Sequence, residues 1–142
     1  MRIGITRLRP GIALPSYGTS GAAAFDLAAA EDVEIAPRQI ALVGTGLVIA
    51  VPEGYFLAIF ARSSTPLKRG LMVANGVGVL DSDYCGPDDE LKIQLLNLTD
   101  APVAIKAGDR LAQGLVLQAP RVEFVEGDVG SVSRGGFGST GR

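Results

Sequence analysis

The densest chemistry in this chain lies in residues 75–86, NGVGVLDSDYCG. An amide, Asn75, precedes a strand-like run, Val77-Gly78-Val79-Leu80. Three closely spaced polar acceptors, Asp81, Ser82 and Asp83, and then Tyr84 follow it. Gly76, Gly78 and Gly86 permit a bend or a close approach of backbone to a ligand. A carboxylate beside an aromatic ring on a bent strand suits the activation of water next to a flat or sugar-like group. The chain has no histidine and one cysteine, Cys85. That excludes a Ser-His dyad, a histidine general base, a histidine metal site and an internal disulfide. An enzyme built this way must use carboxylates, a metal held by oxygen, or groups of its substrate.

The elements that must carry these residues are short. With 142 residues the chain reads as one domain with a real core. Its 47% hydrophobic content, 19 glycines and 8 prolines suit many strands joined by tight turns. Thirteen basic against fifteen acidic residues give a net charge of −2 with no basic block, which argues against a nucleic-acid polymer as partner. The opening MRIGITRLRP has no apolar signal core, and no run of about 18 apolar residues occurs. The expectation is a soluble protein without a membrane partner, cytoplasmic because its lone cysteine suits a reducing compartment.

Ile3, Ile5 and Leu8 fit an opening strand stopped by Pro10. Residues 21–30, GAAAFDLAAA, have the alanine content of a helix, yet the flanking glycines and short length favour a strand around Ala23–Ala28. Val33–Ile35, Ile40–Val43, Leu47–Val51 and Tyr55–Ala61 follow, the last apolar on both faces and therefore covered on both. Residues 64–70 resemble a short helix with a serine cap, an early proline and a closing glycine. Further strands are expected over Val77–Leu80, Leu91–Leu98, Val103–Ile105, Arg110–Leu117 and, last, Val122–Val125. Regular turn signals without a repeat favour an all-β sandwich or jelly roll.

Composition changes at Gly127: six glycines and three serines fall in residues 127–142, with Phe137 the sole aromatic. The chain thus divides into a β domain over 1–126 and a glycine-rich arm over 127–142. Extended at about 3.3 Å per residue, the seventeen residues after Val125 reach roughly 55 Å. A body this size has a radius of gyration of about 14–15 Å, so the arm can cross to a neighbour.

Five segments in order, GAAAFDLAAA (21–30), ARSSTP (61–66), NGVGVLDSDYCG (75–86), GDRLAQG (108–114) and RGGFGSTG (134–141), resemble the motifs of trimeric deoxyuridine triphosphatases. The resemblance spans nearly the whole chain. It implies a jelly-roll-like β subunit, a homotrimer with sites at subunit contacts, and Mg²⁺-dependent cleavage of dUTP to dUMP and pyrophosphate. By the same resemblance Asp81 is the water-activating base, ionised at neutral pH, and Tyr84 packs where a 2′-hydroxyl would go. Asn75 and the Val79–Leu80 backbone line the uracil pocket, with Lys92 near it. Arg62, Ser63, Ser64 and Gln113 meet the phosphates. Asp26 either reaches Mg²⁺ through water or is a buried structural acceptor. Arg134, Phe137, Gly138, Ser139 and Thr140 belong to the arm that closes over the γ-phosphate and base. Asp109 and Arg110 are expected to hold a turn or a subunit contact.

Two departures stand out. The fifth motif is two residues short between arginine and phenylalanine, which leaves Arg134 and Arg142 as alternatives at the γ-phosphate. Pro87-Asp88-Asp89 lengthens the turn after the third motif, where Cys85 replaces a common arginine and is read as a packing residue. The nearest rival is a dCTP deaminase or bifunctional relative. Its glutamate three residues before the strand-ending asparagine would here be Gln94, which cannot shuttle protons. A non-catalytic trimeric nucleotide-binding module is the remaining alternative.

Overall fold

The computed structural model describes residues 1–127, 130 and 133, and it is an all-β fold with one short helix. A five-stranded sheet has the order β2-β3-β12-β7-β9, formed by Ser16–Tyr17, Phe25–Ala28, Arg110–Gln118, Tyr55–Ala61 and Gly78–Leu80. A three-stranded sheet has the order β5-β10-β8, formed by Ile40–Gly44, Lys92–Asn97 and Leu71–Val73. Two ribbons complete the body: β1 (Gly4–Arg7) on β6 (Leu47–Ala50), and β4 (Val33–Ile35) on β11 (Val103–Ile105). Every one of these pairings is antiparallel. Leu27, Leu57 and Leu111 of the large sheet meet Val43, Ile93 and Leu71 of the smaller one, and Ile35, Ile49 and Ile105 of the ribbons, in one buried core. Among the described residues no helix is long and apolar enough to cross a membrane.

Strand period explains the layering. On β10, Ile93, Leu95 and Asn97 point inward while Lys92, Gln94 and Leu96 point outward, as alternation requires. Asn97 is fully buried, and its amide is satisfied there. Nδ2 donates to the carbonyls of Ile35, Ala36 and Ala101 at 2.8–3.2 Å, and Oδ1 accepts from Thr99 N and Oγ1 at 2.8 Å. On β7 the central residues Leu57, Ala58 and Ile59 are all buried, so both faces are covered at mid-strand.

The alanine-rich segment is strand only over Phe25–Ala28. Pairing with β12 overrides alanine's helix preference there, and the Phe25 ring lies over Gly114, where a Cβ would come within 2.5 Å of it. The helix α1 covers Ser64–Arg69 and closes on Gly70 at φ 63°. The expected serine cap is absent: Ser63 at the N-cap has helical φ and ψ and makes no capping hydrogen bond with its side chain. Instead the buried Thr65 hydroxyl donates to Leu111 O at 3.0 Å and fastens the helix to β12. The expected last strand is also absent. Among the described residues Val122–Val125 has no strand partner, and Val122, Phe124 and Val125 are left at 68%, 93% and 82% exposure. Cys85 is exposed, its Sγ 3.6 Å from Ser82 O, so it is not a packing residue.

Candidate active site

The flagged residues that the structure describes fall into two clusters, one at the β9 edge of the large sheet and one around β3. The first surrounds β9. Gly78 lies against β7, where an added Cβ would stand 3.1 Å from that of Ile59, and Gly76 turns the chain at φ 74°. These two glycines bring Asn75, Val79, Leu80, Asp81, Tyr84 and Lys92 around one cleft of about 310 Å³. Because β9 is the edge strand of its sheet, half of its backbone donors and acceptors face away from β7. Tyr84 N donates to Asp81 O at 3.3 Å in the turn that follows, and Tyr84 is 44% exposed. Asp83 is exposed beside it. Gln94 lies outside this cleft's lining, half-buried opposite Leu42.

The second cluster surrounds Asp26. Register brings Asp26 on β3 opposite Gln113 on β12, and Gln113 opposite Phe60 on β7. The Asp26 carboxylate, 16% exposed, is held by two guanidinium groups: Arg62 Nε at 2.8 Å from Oδ1 and Arg110 Nη1 at 2.9 Å from Oδ2. Gln113 Nε2 donates to Ala61 O at 3.0 Å. These residues and Ser63 line a cleft of about 280 Å³. Ser64 opens onto an adjoining cleft of about 250 Å³ with Lys68, Arg69 and Asp109. Among the described residues no hydrogen bond engages the Ser63 or Ser64 side chain, which leaves both hydroxyls free for a ligand. Here Asp109 holds the turn as expected, accepting from Arg69 Nη1 at 2.7 Å and Lys106 N at 2.9 Å. The Arg69 hydrogen bond is the chief cause holding the Asp109 carboxyl below its ordinary value.

The clusters do not meet within one subunit. Asp26 is level with Phe60, whereas Asp81 follows Leu80, which pairs with Leu57. Three strand spacings of about 4.8 Å and four residue steps of about 3.3 Å separate the two carboxylates by about 20 Å. The Arg62 head is turned onto Asp26, away from Asp81. Sequence reasoning missed Arg110 as the second cation on Asp26, and no local signal marks it: the pairing arises from register between strands 84 residues apart in sequence. It missed Glu90 as well, which lines the first cleft. Arg134, Phe137, Gly138, Ser139, Thr140 and Arg142 lie outside the described residues. Among those described, no group of three or more histidine, cysteine or acidic side chains could hold a metal ion.

An all-β body with a polar, carboxylate-bearing cleft on a sheet edge and a separate arginine-hydroxyl cleft defines a class that handles phosphorylated small molecules. Within that class the chain belongs to the dUTPase family: a profile of that family matches residues 11–141. It is similar to the deoxyuridine 5'-triphosphate nucleotidohydrolase of Wolinella succinogenes, 45% identical over all of this chain and 95% of the relative. The namesake proteins of Hydrogenobaculum sp. and Helicobacter pylori strain P12 are 43% and 40% identical over 99% of this chain, covering 99% and 97% of their own. Among solved structures, dUTPase from Streptococcus mutans matches with a TM-score of 0.78 and 35% identity over 85% of this chain and 99% of that one. The Staphylococcus bacteriophage 80alpha dUTPase with dUPNHPP matches with a TM-score of 0.84 at 24% identity, over 99% and 98%, a likeness of fold.

Proposed function

We infer that this chain is a dUTP diphosphatase that hydrolyses dUTP to dUMP and pyrophosphate. The observation that carries the mechanism is the first cleft: Asp81 and Tyr84 stand beside the free edge of β9, together with Asn75 and Lys92. In this reading Asp81 accepts a hydrogen bond from water and aims it at the α-phosphorus. The Tyr84 ring sits under the deoxyribose, so that a 2′-hydroxyl would be buried without a partner. Asn75 and the backbone of Val79 and Leu80 hold the uracil, with Lys92 at the rim. Arg62, Ser63, Ser64 and Gln113 take the phosphates through charge and free donors. The arm brings Phe137 over the base and Gly138, Ser139 and Thr140 to the γ-phosphate, with Arg134 or Arg142 as its cation.

Magnesium fits the donors available. Mg²⁺ keeps several waters and binds through few carboxylates plus substrate phosphates. Asp26, the one acid among the described residues lining its cleft, already carries an arginine on each oxygen, which suits an outer contact through water and not direct ligation. When bound, the ion would supply Lewis-acid stabilisation of charge on the phosphate oxygens.

The working unit in this proposal is a homotrimer. Asp81 and the Asp26–Arg62–Arg110 cluster are too far apart in one subunit to act on one triphosphate, so each site draws them from different copies. The outer face of the large sheet supports this. It carries Phe56 and Phe60 of β7, Leu115 and Leu117 of β12, and Val79 at 59% exposure, apolar area that a neighbour would cover. The Val122–Val125 segment, without a strand partner among the described residues, is a further surface for a second copy. A chain with one exposed cysteine fits a reducing, cytoplasmic setting. The test is pyrophosphate release from dUTP, UTP, dCTP and dTTP with and without Mg²⁺. Release from dUTP alone, lost on removing the ion, is expected; equal turnover of all four would overturn the reading of the first cleft.

A further inference from the structure

The segment joining the Asp81–Tyr84 turn to β10 is fastened more firmly than a solvent loop requires. Asp89 folds back so that its Oδ2 accepts from Gly86 N at 2.7 Å. The next residue, Glu90, has its carboxylate only 18% exposed. Its Oε1 accepts from Gly46 N at 2.7 Å, and its Oε2 stands 3.9 Å from Lys92 Nζ. Gly44 makes room for this group, since a Cβ there would lie 2.5 Å from Glu90 Oε1. The main chain beside it is gripped by the same turn. Thr45 N and Oγ1 donate to Leu91 O at 3.1 and 2.7 Å, and Leu91 N donates to Leu47 O at 2.8 Å. The 44–47 turn therefore anchors the far end of the segment that bears Asp81, Tyr84 and Lys92, and among the described residues Glu90 is its charged link to that segment.

We propose that Glu90 is a positioning residue for sugar selection, tying residues 81–92 to the 44–47 turn so that Tyr84 and Lys92 hold their places in the nucleoside cleft. This rests on the reading of Asp81 and Tyr84 given above. Exclusion of a 2′-hydroxyl demands a ring that cannot retreat. A shift of about 1 Å opens room for the extra oxygen and lets it reach water, and it misplaces the reacting groups as well. Loss of the tether therefore harms dUTP turnover more than UTP turnover.

The test compares kcat/KM for dUTP and UTP in the full-length wild type and in Glu90→Ala, Glu90→Gln and Gly44→Ala variants. A purely structural loss lowers the folded fraction and scales both substrates equally, so it cancels in the ratio. The Glu90→Ala variant is expected to lower the dUTP/UTP ratio at least about fivefold, while Glu90→Gln, which keeps an oxygen for Gly46 N, stays within about twofold of wild type. Gly44→Ala, which presses a methyl against the carboxylate, is expected to lower the ratio with Glu90 itself intact. An unchanged ratio in Glu90→Ala overturns the proposal, as does a Glu90→Gln variant as impaired as Glu90→Ala. Absence of dUTP turnover in the wild type overturns the functional reading and this proposal with it.

Discussion

The separation of the two clusters makes a quantitative prediction about mixed trimers. Asp81→Asn keeps the shape of the side chain but removes the proposed base. Arg62→Gln removes one cation proposed to meet the phosphates and leaves Asp26 paired with Arg110 at 2.9 Å, so the fold around it survives. Each variant alone is expected to be nearly inactive. In the proposed cyclic trimer the contacts are heterologous, so each site would take Asp81 from one subunit and Arg62 from another. If the two variants are unfolded together in equal amounts and refolded, each required residue is intact with even odds. About a quarter of the sites in the mixture are then complete, and pyrophosphate release rises to about that fraction of wild type. A single-subunit site contains one defect in every copy, whichever variant supplies it. A mixture no more active than the average of its parents would therefore show that the roughly 20 Å gap is closed within one chain, and the two-subunit reasoning would be wrong.

Three simpler perturbations follow. Asp81→Asn should bind a non-hydrolysable dUTP analogue by calorimetry yet release pyrophosphate at least about a hundredfold more slowly; unchanged turnover removes Asp81 as the base. Asn97→Ala strips a fully buried amide from the carbonyls of Ile35, Ala36 and Ala101 and should cost about 3 kcal/mol in denaturant unfolding, with a loss under about 1 kcal/mol counting against its role as a plug. Arg69 holds the Asp109 carboxyl below its ordinary value. The resulting stabilisation is present above the unfolded-state value near 3.9 and disappears as pH falls through the lower folded-state value. Asp109→Asn should therefore flatten the loss of stability below about pH 4; an identical acid slope in both proteins removes Asp109 from the account.

What the sequence made legible, and what it hid, divides along physical lines. Strands β6, β7, β10 and β12 announce themselves because runs such as Tyr55–Ala61 and the alternation of β10 are set by which face is buried. The residues of the first cleft are legible because they are near neighbours in sequence, Asn75 to Lys92. The second cluster was legible only as separate motifs. That Asp26 binds both Arg62 and Arg110 depends on the order β3-β12-β7 and on a register shift between Arg110 and Ala112, neither of which leaves a local trace. Two expectations failed through tertiary competition. Thr65 uses its hydroxyl on β12 where a serine cap was expected, and Val122–Val125 has strand composition but no partner edge among the described residues. Strand β2, with two residues, is too short to show a period, and β8 was missed although it is as long as β4 and β11.

The edge position of β9 bears on how a chain without tryptophan and with 6% aromatic residues can recognise a base. Uracil and cytosine differ at two neighbouring positions, where acceptor and donor are exchanged: a carbonyl gives way to an amino group, and a ring N–H to a bare nitrogen. A strand edge offers N–H and C=O groups at fixed spacing, anchored here because β9 pairs with β7 through Gly78–Leu80. Such an edge cannot rotate to suit cytosine, and each opposed pair costs about 1–3 kcal/mol. Two such conflicts add to about 2–6 kcal/mol, a discrimination of about thirtyfold or more. An asparagine side chain, by contrast, can rotate its amide and present either pattern. Backbone readout thus predicts that Asn75→Ala weakens dUTP binding but keeps most of the preference for dUTP over dCTP, measured as a ratio of kcat/KM. If that substitution abolishes the preference, the side chain reads the base and the edge of β9 merely supports it.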